Sequence, residues 1–595
     1  MSARYCDIVM KGGITSGVVY PSAVVEIAKN FVFRNVGGTS AGAIAASLTA
    51  AAEYRRQRDG SEAGFERLAG LPDWLAAGNL ERLFAPNRAT RSLFRTVFAL
   101  ASRKGAFGKM TALSAAYPLQ ALAGTIPAVL LAVAAIANPR VNPFWRAMDI
   151  VAILATLIVF VTLATGLWLW RDLRRELPPN LYGLCSGVDD ANPKNETALS
   201  VWLARELELT AGLAPGIVPL TFGMLWDAAA EPPEPAAHAE VSDPVVRLQV
   251  IATNLSHGRP HIVPFTTDGY LYDPAEFAKL FPAHVVAWLA RRSPEQLGGL
   301  RALPPIGDLP VIVAARMSLA FPFLLSAVPL YVSATQGDIG QARTNDAAAP
   351  EKCWFSDGGI SSNFPVTLFD APLPRWPTFA IDLEAFGPGQ CDDVSMPANN
   401  EDGTKPTYGE IGSVSGFAEA IANTMQNWAD NAQMRIPGYR DRVVTVRLHP
   451  SEGGLNLDMP PEIVRALSAR GTKAGRMLVE RFAAPSTLDP KNVGMNWENQ
   501  RWVRYRTNAD AFARYLGTFL RAFTQPEPPD VGYPELIAST QGTPAAVYPF
   551  PASSRAADVA ATDDLAALAR HWEAEVDFAT AAPQPAPVLV DRPRL

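Results

Sequence analysis

Two stretches of this chain carry no charge, and each is long enough to cross a lipid bilayer. They are Pro118 to Ala137, PLQALAGTIPAVLLAVAAIA, and Ile150 to Trp170, IVAILATLIVFVTLATGLWLW. An α-helix rises about 1.5 Å per residue, so about 20 residues match a hydrocarbon core about 30 Å thick. The second run ends in Trp168 and Trp170, indole side chains suited to a lipid–water boundary. The first contains Gln120, Gly124 and Pro127, which weaken it as a span and favour the competing reading of a pair of buried core helices. The expectation carried forward is a transmembrane helical hairpin with two spans. Its outer flanks hold Arg103, Lys104 and Lys109 before, and Arg171, Arg174 and Arg175 after, against Arg140 and Arg146 in the link. Basic residues stay on the cytoplasmic side, so both flanks and everything attached to them are expected in the cytoplasm. Upstream, Arg88 to Lys104 sets Arg88, Arg91 and Arg95 at helical spacing among Leu93, Phe94, Val97 and Leu100. That pattern suits a helix lying on an anionic leaflet, and equally an ordinary surface helix.

Composition agrees with lipid contact. Only 18% of the 595 residues are charged and 48% are hydrophobic, a low charged share for a soluble protein. The net charge of −6 offers no general case for nucleic-acid binding. Cys6, Cys185, Cys353 and Cys391 lack CxxC spacing and support neither a disulfide framework nor a zinc site. No metal or other cofactor is expected. Met1 to Met10 is polar and strand-like, which predicts no cleavable signal peptide.

The chain opens in strand–helix alternation. Tyr5 to Met10 reads as a strand, Gly17 to Asn30 as a helix, Phe31 to Val36 as a second strand, and the Ala-rich stretch after Ser40 as a second helix. That order predicts an α/β fold with a mostly parallel sheet. Further strands are predicted at Val245–Leu255, Val311–Ala314, Phe379–Leu383 and Arg442–Leu448, with helices at Pro460–Phe482 and Trp497–Phe523. Trp497, Trp502, Tyr505 and Phe512 read as core residues. A Pro/Ala/Glu-rich loop covers 228–244, and the last twenty residues are expected to be disordered. The predicted organisation is a catalytic domain in two parts, 1–110 and 181–390, around the hairpin at 111–180. A C-terminal α/β extension follows at 391–525, then a mostly irregular tail at 526–595 with one helix near 562–578.

Three short motifs carry chemistry. NVGGTSAGAIAASL, Asn35 to Leu48, holds Gly38-Thr39-Ser40-Ala41-Gly42 between the second strand and its helix. A serine on such a turn is strained and exposed, small neighbours let strand and helix pass closely, and the helix start supplies free N–H groups. KGGITSG, Lys11 to Gly17, follows the first strand and can turn several N–H groups toward one point. It lacks the Gly-Lys-Ser/Thr ending of a nucleotide-binding loop. FSDGGISSNFPV, Phe355 to Val366, puts Asp357 on a Gly-Gly turn.

Together these motifs resemble the patatin-like phospholipases. GGITSG is similar to that family's Gly-rich oxyanion loop, GTSAG to its nucleophile turn, and DGG to the turn of its catalytic aspartate. ARMSLAFPFLL (Ala315 to Leu325) and PLTFGMLW (Pro219 to Trp226) resemble flanking segments. The resemblance covers about Tyr5 to Glu384 apart from the hairpin. It departs at Ile14 and Ser16, where the family has a glycine and a basic residue, which weakens the case for a held phosphate; Lys11 sits too early to replace that residue.

The resemblance implies a three-layer α/β/α fold and a serine lipid acyl hydrolase. Ser40 is the implied nucleophile and Asp357 the general base and acid. The N–H groups of Gly12, Gly13 and Ala41 form the implied oxyanion hole, and Gly17, Gly38, Gly42, Gly358 and Gly359 support the turns. The expected partners are an acyl-ester lipid and the bilayer. An ordinary Asp pKa of about 3.9 is low for a base at neutral pH, so the site must desolvate Asp357. Two other readings stay open. One is an α/β-hydrolase-type esterase with His449 or His571 completing a triad, His257 and His261 being the remaining upstream candidates. The other is a non-catalytic membrane scaffold.

Overall fold

The computed structural model describes residues 4–102, 106–138, 142–190, 192, 195–228, 243–265, 269–294, 298–332, 350–387, 389–402, 411–454, 456–483, 494–524, 532–538, 553–585, 587 and 589. Arg103, Lys104 and Arg140 of the orientation argument lie outside them, as do 229–242 of the Pro/Ala/Glu-rich loop and the end of the tail.

Strand alternation sets the two sides of the sheet. In β1 (Tyr5–Met10), Cys6, Ile8 and Met10 join the main apolar core, while Val9 joins a second cluster on the opposite face. This is the two-residue period of a strand. After α1 (Val19–Ala28), β2 (Val32–Thr39) pairs with β1 in parallel, with Met10 opposite Gly38. The Ala-rich α2 (Ala41–Asp59) then packs back onto β2, followed by α3 (Ala63–Trp74) and α4 (Arg91–Ser102). In α4, Leu93 is buried and Phe94 and Phe98 lie against the main core. Val97, of the same pattern, is exposed, so only part of the apolar side is turned to the protein.

Among the described residues, two helices are long and apolar enough to cross a membrane. They are α5 (Pro118–Ala137) and α6 (Pro143–Glu176), packed on one another. Only 11% of the most apolar window of each is buried, so the rest of the described chain covers little of that surface. The start of α6 lies earlier than the apolar run because Pro143 suits a first turn and the Asn142 side chain accepts the Phe144 N–H at 2.9 Å.

The remaining strands are β3 (Gly183–Cys185), β4 (Arg247–Asn254), β5 (Arg259–Val263), β6 (Tyr270–Tyr272), β7 (Arg301–Ala302), β8 (Phe323–Leu325), β9 (Val328–Val332), β10 (Glu351–Asp357), β11 (Thr378–Ala385), β12 (Val394–Ser395) and β13 (Val443–Leu448). Among the described residues eleven of them form one sheet in the order β12-β13-β11-β1-β2-β4-β10-β9-β6-β7, with β5 also on β4. The molecule is thus mixed α/β. The expected mostly parallel sheet is corrected to a mixed one. It is parallel from β13 to β4, but β10, β9, β6, β7, β5 and β12 all join antiparallel. A second correction falls at Val311–Ala314, which opens a helix with its N-cap at Pro310 and no strand. That helix, α8, spans Val311–Ser318, after α7 (Leu199–Thr210).

Later helices are α9 (Val414–Gln433), α10 (Pro461–Ala483), α11 (Trp497–Thr524) and α12 (Arg555–Glu575). α10 crosses α1 closely. A Cβ on Gly471 would stand 2.1 Å from the Val19 carbonyl, and one on Gly475 2.5 Å from that of Ala23, so only glycine fits at both crossings. On α11, Trp502, Tyr505 and Phe512 are exposed rather than core, and Trp497 is partly buried against the main core.

Candidate active site

Ser40 and Asp357 meet because of how β4 is shared. Along one edge, β4 pairs with β2 as far as Thr39 opposite Ile251. β5 occupies its other edge, at Val250–Asn254. β10 therefore takes the next length of the first edge and ends with Asp357 opposite Ala252. Two strands running toward each other along one edge stop head to head. The residue after the first and the last residue of the second are Ser40 and Asp357.

The Ser40 turn is strained as expected. Its φ of 54° and ψ of −128° lie where a residue with a Cβ rarely goes. Its N–H donates to Ser318 Oγ at 3.1 Å, and Ser318 donates in turn to the Ile251 carbonyl at 2.6 Å. Gly42 lets α2 start this close to β1, since a Cβ there would stand 2.3 Å from the Met10 carbonyl. Gly38 is similarly confined, since a Cβ there would stand 2.7 Å from Gly42 backbone atoms, and a Cβ on Gly17 would stand 2.9 Å from Ala41 Cβ.

Asp357 is buried and held by backbone. Its N–H donates to the Ala320 carbonyl at 3.0 Å, its carbonyl accepts from Thr253 Oγ1 at 2.8 Å, and its Oδ1 accepts the Gly359 N–H at 2.7 Å. Burial raises its pKa to about 7, with the Ser40 hydroxyl and then the Gly359 N–H pulling it back. The hydroxyl is thus close enough to act on the carboxyl. Asp357 Oδ2 has no hydrogen-bond partner among the described residues, so that oxygen is left open to the Ser40 side of the turn. Burial has produced a carboxyl poised to exchange a proton at neutral pH.

The Lys11–Gly17 loop stands beside this pair, and a Cβ on Gly12 would lie 3.1 Å from Ser40 Cβ. One of its expected donors is occupied. The Gly12 N–H donates to the Asn363 carbonyl at 2.8 Å, so it is engaged by backbone and must leave that bond to donate elsewhere. Gly13 makes no backbone bond among the described residues. Ala41 opens α2, where first-turn N–H groups have no helical partner. Lys11 is unavailable for a phosphate because its ammonium is 2.7 Å from Asp382. Ser16 is buried beneath the loop, 2.5 Å from where a Gly13 Cβ would be.

Next to Ala41 begins an apolar cavity of about 80 Å³, lined among others by Ile14, Ile44, Ala45, Leu83, Trp202 and Leu319. Ile14 is part of this lining.

Sequence reasoning missed the supports of the site. Ser318 lies within the quoted ARMSLAFPFLL segment, which was the available signal. Asn363, four residues after the Asp357-Gly358-Gly359 turn, accepts through its carbonyl from both the Gly12 N–H and the Thr39 hydroxyl, the latter at 2.9 Å. Asp430, on α9, accepts the N–H groups of Asn363 and Phe364 at 2.9 and 2.8 Å. Gln426, one turn earlier, donates to the Gly359 carbonyl at 2.6 Å. Neither α9 residue stands in a recognisable pattern.

No histidine contributes to the interactions that set the Asp357 pKa. His449 stacks on Phe386 with centroids 4.5 Å apart, and His571 lies 3.6 Å from Glu575 on an exposed face of α12. His257 lies 3.6 Å from Cys353 Sγ, and His261 packs among Phe265, Tyr270 and Phe355. Among the described residues no group of three His, Cys, Asp or Glu could hold a metal ion.

Fold and site define a mixed α/β protein with a buried serine and carboxyl meeting at strand ends. No family model matches the chain. It is 36% identical to the RpoH suppressor of Rhizobium meliloti (strain 1021) over an alignment of 653 residues, covering 99% of this chain and 98% of that protein. The chain therefore belongs to the RpoH suppressor family. Among solved structures, the crystal structure of VipD from Legionella pneumophila aligns over 98% of this chain and 89% of that one, at 12% identity and a TM-score of 0.31, a likeness too slight to carry an argument.

Proposed function

We propose that this protein is a membrane-associated serine lipid acyl hydrolase of the patatin-like type. In this reading the mixed sheet and its helices are a patatin-like three-layer α/β/α domain. α5 and α6 are a transmembrane hairpin, and the catalytic domain is cytoplasmic. The observation that carries the reading is the convergence of the β2 and β10 ends, which sets a strained serine against a carboxyl of pKa about 7.

Ser40 Oγ attacks the ester carbonyl while its proton passes to Asp357. The oxyanion takes hydrogen bonds from the Gly13 and Ala41 N–H groups, and from Gly12 once Asn363 releases it. Each such donor is worth about 3 kcal/mol of transition-state stabilisation. Collapse expels the alcohol, which receives the proton from Asp357, and leaves an ester on Ser40. Asp357 then takes a proton from water as the water oxygen attacks the acyl carbonyl, and gives that proton to Ser40 Oγ as the ester bond breaks, which frees the carboxylic acid and restores the serine hydroxyl and the carboxylate. The apolar cavity beside Ala41 suits the acyl chain.

A fluorophosphonate probe is expected to label the wild type, and Ser40→Ala to take no label. Labelling of Ser40→Ala at wild-type level would overturn the nucleophile. Ala45→Phe, which fills the cavity lining, is expected to reduce hydrolysis of long-chain esters about tenfold or more while short-chain esters are still cleaved. Rates across a chain-length series measure this directly.

A further inference from the structure

We propose that the outer face of α9 is a docking surface for the lipid bilayer, seated beside the mouth of the active site. Surface helices ordinarily turn their apolar stripe to the core and their polar side to water. α9 does the reverse. Its polar residues Gln426 and Asp430 face the protein, bonded to the Gly359 carbonyl and to the N–H groups of Asn363 and Phe364. Its apolar residues Val414, Phe417, Ile421, Met425 and Trp428 recur every three or four positions and all point outward. Val414 is 88% exposed, Met425 73% and Trp428 66%, and Ile411 extends the stripe just before the helix. A continuous patch of this kind on a water-facing surface needs a partner.

The bilayer is the occupant the chain itself supplies. Its two long apolar helices leave their apolar surface uncovered, and the proposed substrate resides in the membrane. The choice of lipid therefore rests on the acyl-hydrolase reading above. The stripe is uncharged, and the helix carries only two ionisable residues, Glu419 and Asp430, both acidic. Docking must then come from apolar insertion, with no need for anionic lipid. Trp428 has the amphipathic ring favoured at the headgroup level. Because the inner side of the same helix grips the turn that carries Asp357, docking brings that turn to the lipid surface from which an ester must be drawn.

The test uses the full chain reconstituted in phosphatidylcholine vesicles. Phosphatidylcholine brominated on its acyl chains is expected to quench the wild type more than Trp428→Phe, and 0.5 M salt is expected to leave that difference unchanged. Phe417→Asp/Met425→Asp is expected to lose at least tenfold in hydrolysis of bilayer phospholipid while a water-soluble short-chain ester is cleaved within twofold of wild type. Equal quenching in wild type and Trp428→Phe would overturn the proposal. So would a wild-type dimer that the double aspartate variant converts to monomer, because a second copy would then cover the stripe. If the wild type cleaves no ester, the hydrolase reading fails, and the quenching difference still decides docking by itself.

Discussion

Asp357→Asn is expected to reduce ester hydrolysis by about 10³- to 10⁴-fold, the scale of a lost general base, while the fold persists. The wild-type pH profile reports the same group. With its pKa near 7, Asp357 is protonated below that value, so on the acyl-hydrolase proposal turnover is expected to fall about tenfold per pH unit on the acid side and to level off above pH 7. The variant's residual rate is expected to lose this inflection.

Stability moves the other way. The folded-state pKa of Asp357 lies above its ordinary unfolded value of about 3.9, so the native state binds the proton more tightly. The protonated carboxyl favours folding fully below about pH 4, and that contribution is lost as pH rises to about 7. Asp357→Asn carries no charge to desolvate. It is expected to be more stable than wild type at pH 8 by up to about 4 kcal/mol, with the gain vanishing near pH 4. Thermal or denaturant unfolding at the two pH values measures it. A variant that loses stability at pH 8 would contradict the burial account.

Gly358→Ala is expected to be the most damaging methyl in the site. The new Cβ would stand 1.9 Å from the Ile251 carbonyl, and backbone cannot swing aside as a side chain can. That carbonyl also accepts the Ser318 hydroxyl that props Ser40. Relief of the clash must push β10 from β4 and separate the two reacting groups. A loss of about 3 kcal/mol or more in stability is expected, together with loss of turnover. Gly359→Ala provides the control. Its Cβ would meet side-chain oxygens, Asn363 Oδ1 at 2.7 Å and Asp357 Oδ1 at 2.9 Å, which can move. It is expected to cost less stability than Gly358→Ala, read by the same unfolding measurements.

What the sequence made legible was local. β1, β2, β4, β11 and β13 each combine an apolar run with a break, and all five were found. The Val311–Ala314 run defeated the same reasoning because four apolar residues buried on every side carry no period. Pro310 before it was the cue for a helix start. The parallel expectation extrapolated the first sixty residues. The antiparallel half is built from short strands such as β6 and β7 and from β10, whose residues Glu351 to Asp357 mix charge with aromatics and lack clean alternation. At the site, the serine turn and the aspartate turn announce themselves because their chemistry is local. The capture of the Gly12 N–H by Asn363 and the pairing of Lys11 with Asp382 join residues about 350 and 371 positions apart, and neither partner's side of the bond leaves a local mark.

The close crossing of α1 and α10 ties the beginning of the chain to a helix that ends at Ala483. During synthesis the face of α1 destined for Gly471 and Gly475 waits while some 450 further residues are made. At about 5–20 residues per second that delay is roughly 20 to 90 s. Ser40 likewise emerges long before the strand that carries Asp357. A ribosome-bound fragment ending before β10 therefore holds Ser40 without Asp357, and on the acyl-hydrolase proposal it is expected to cleave no ester before the rest of the domain exists.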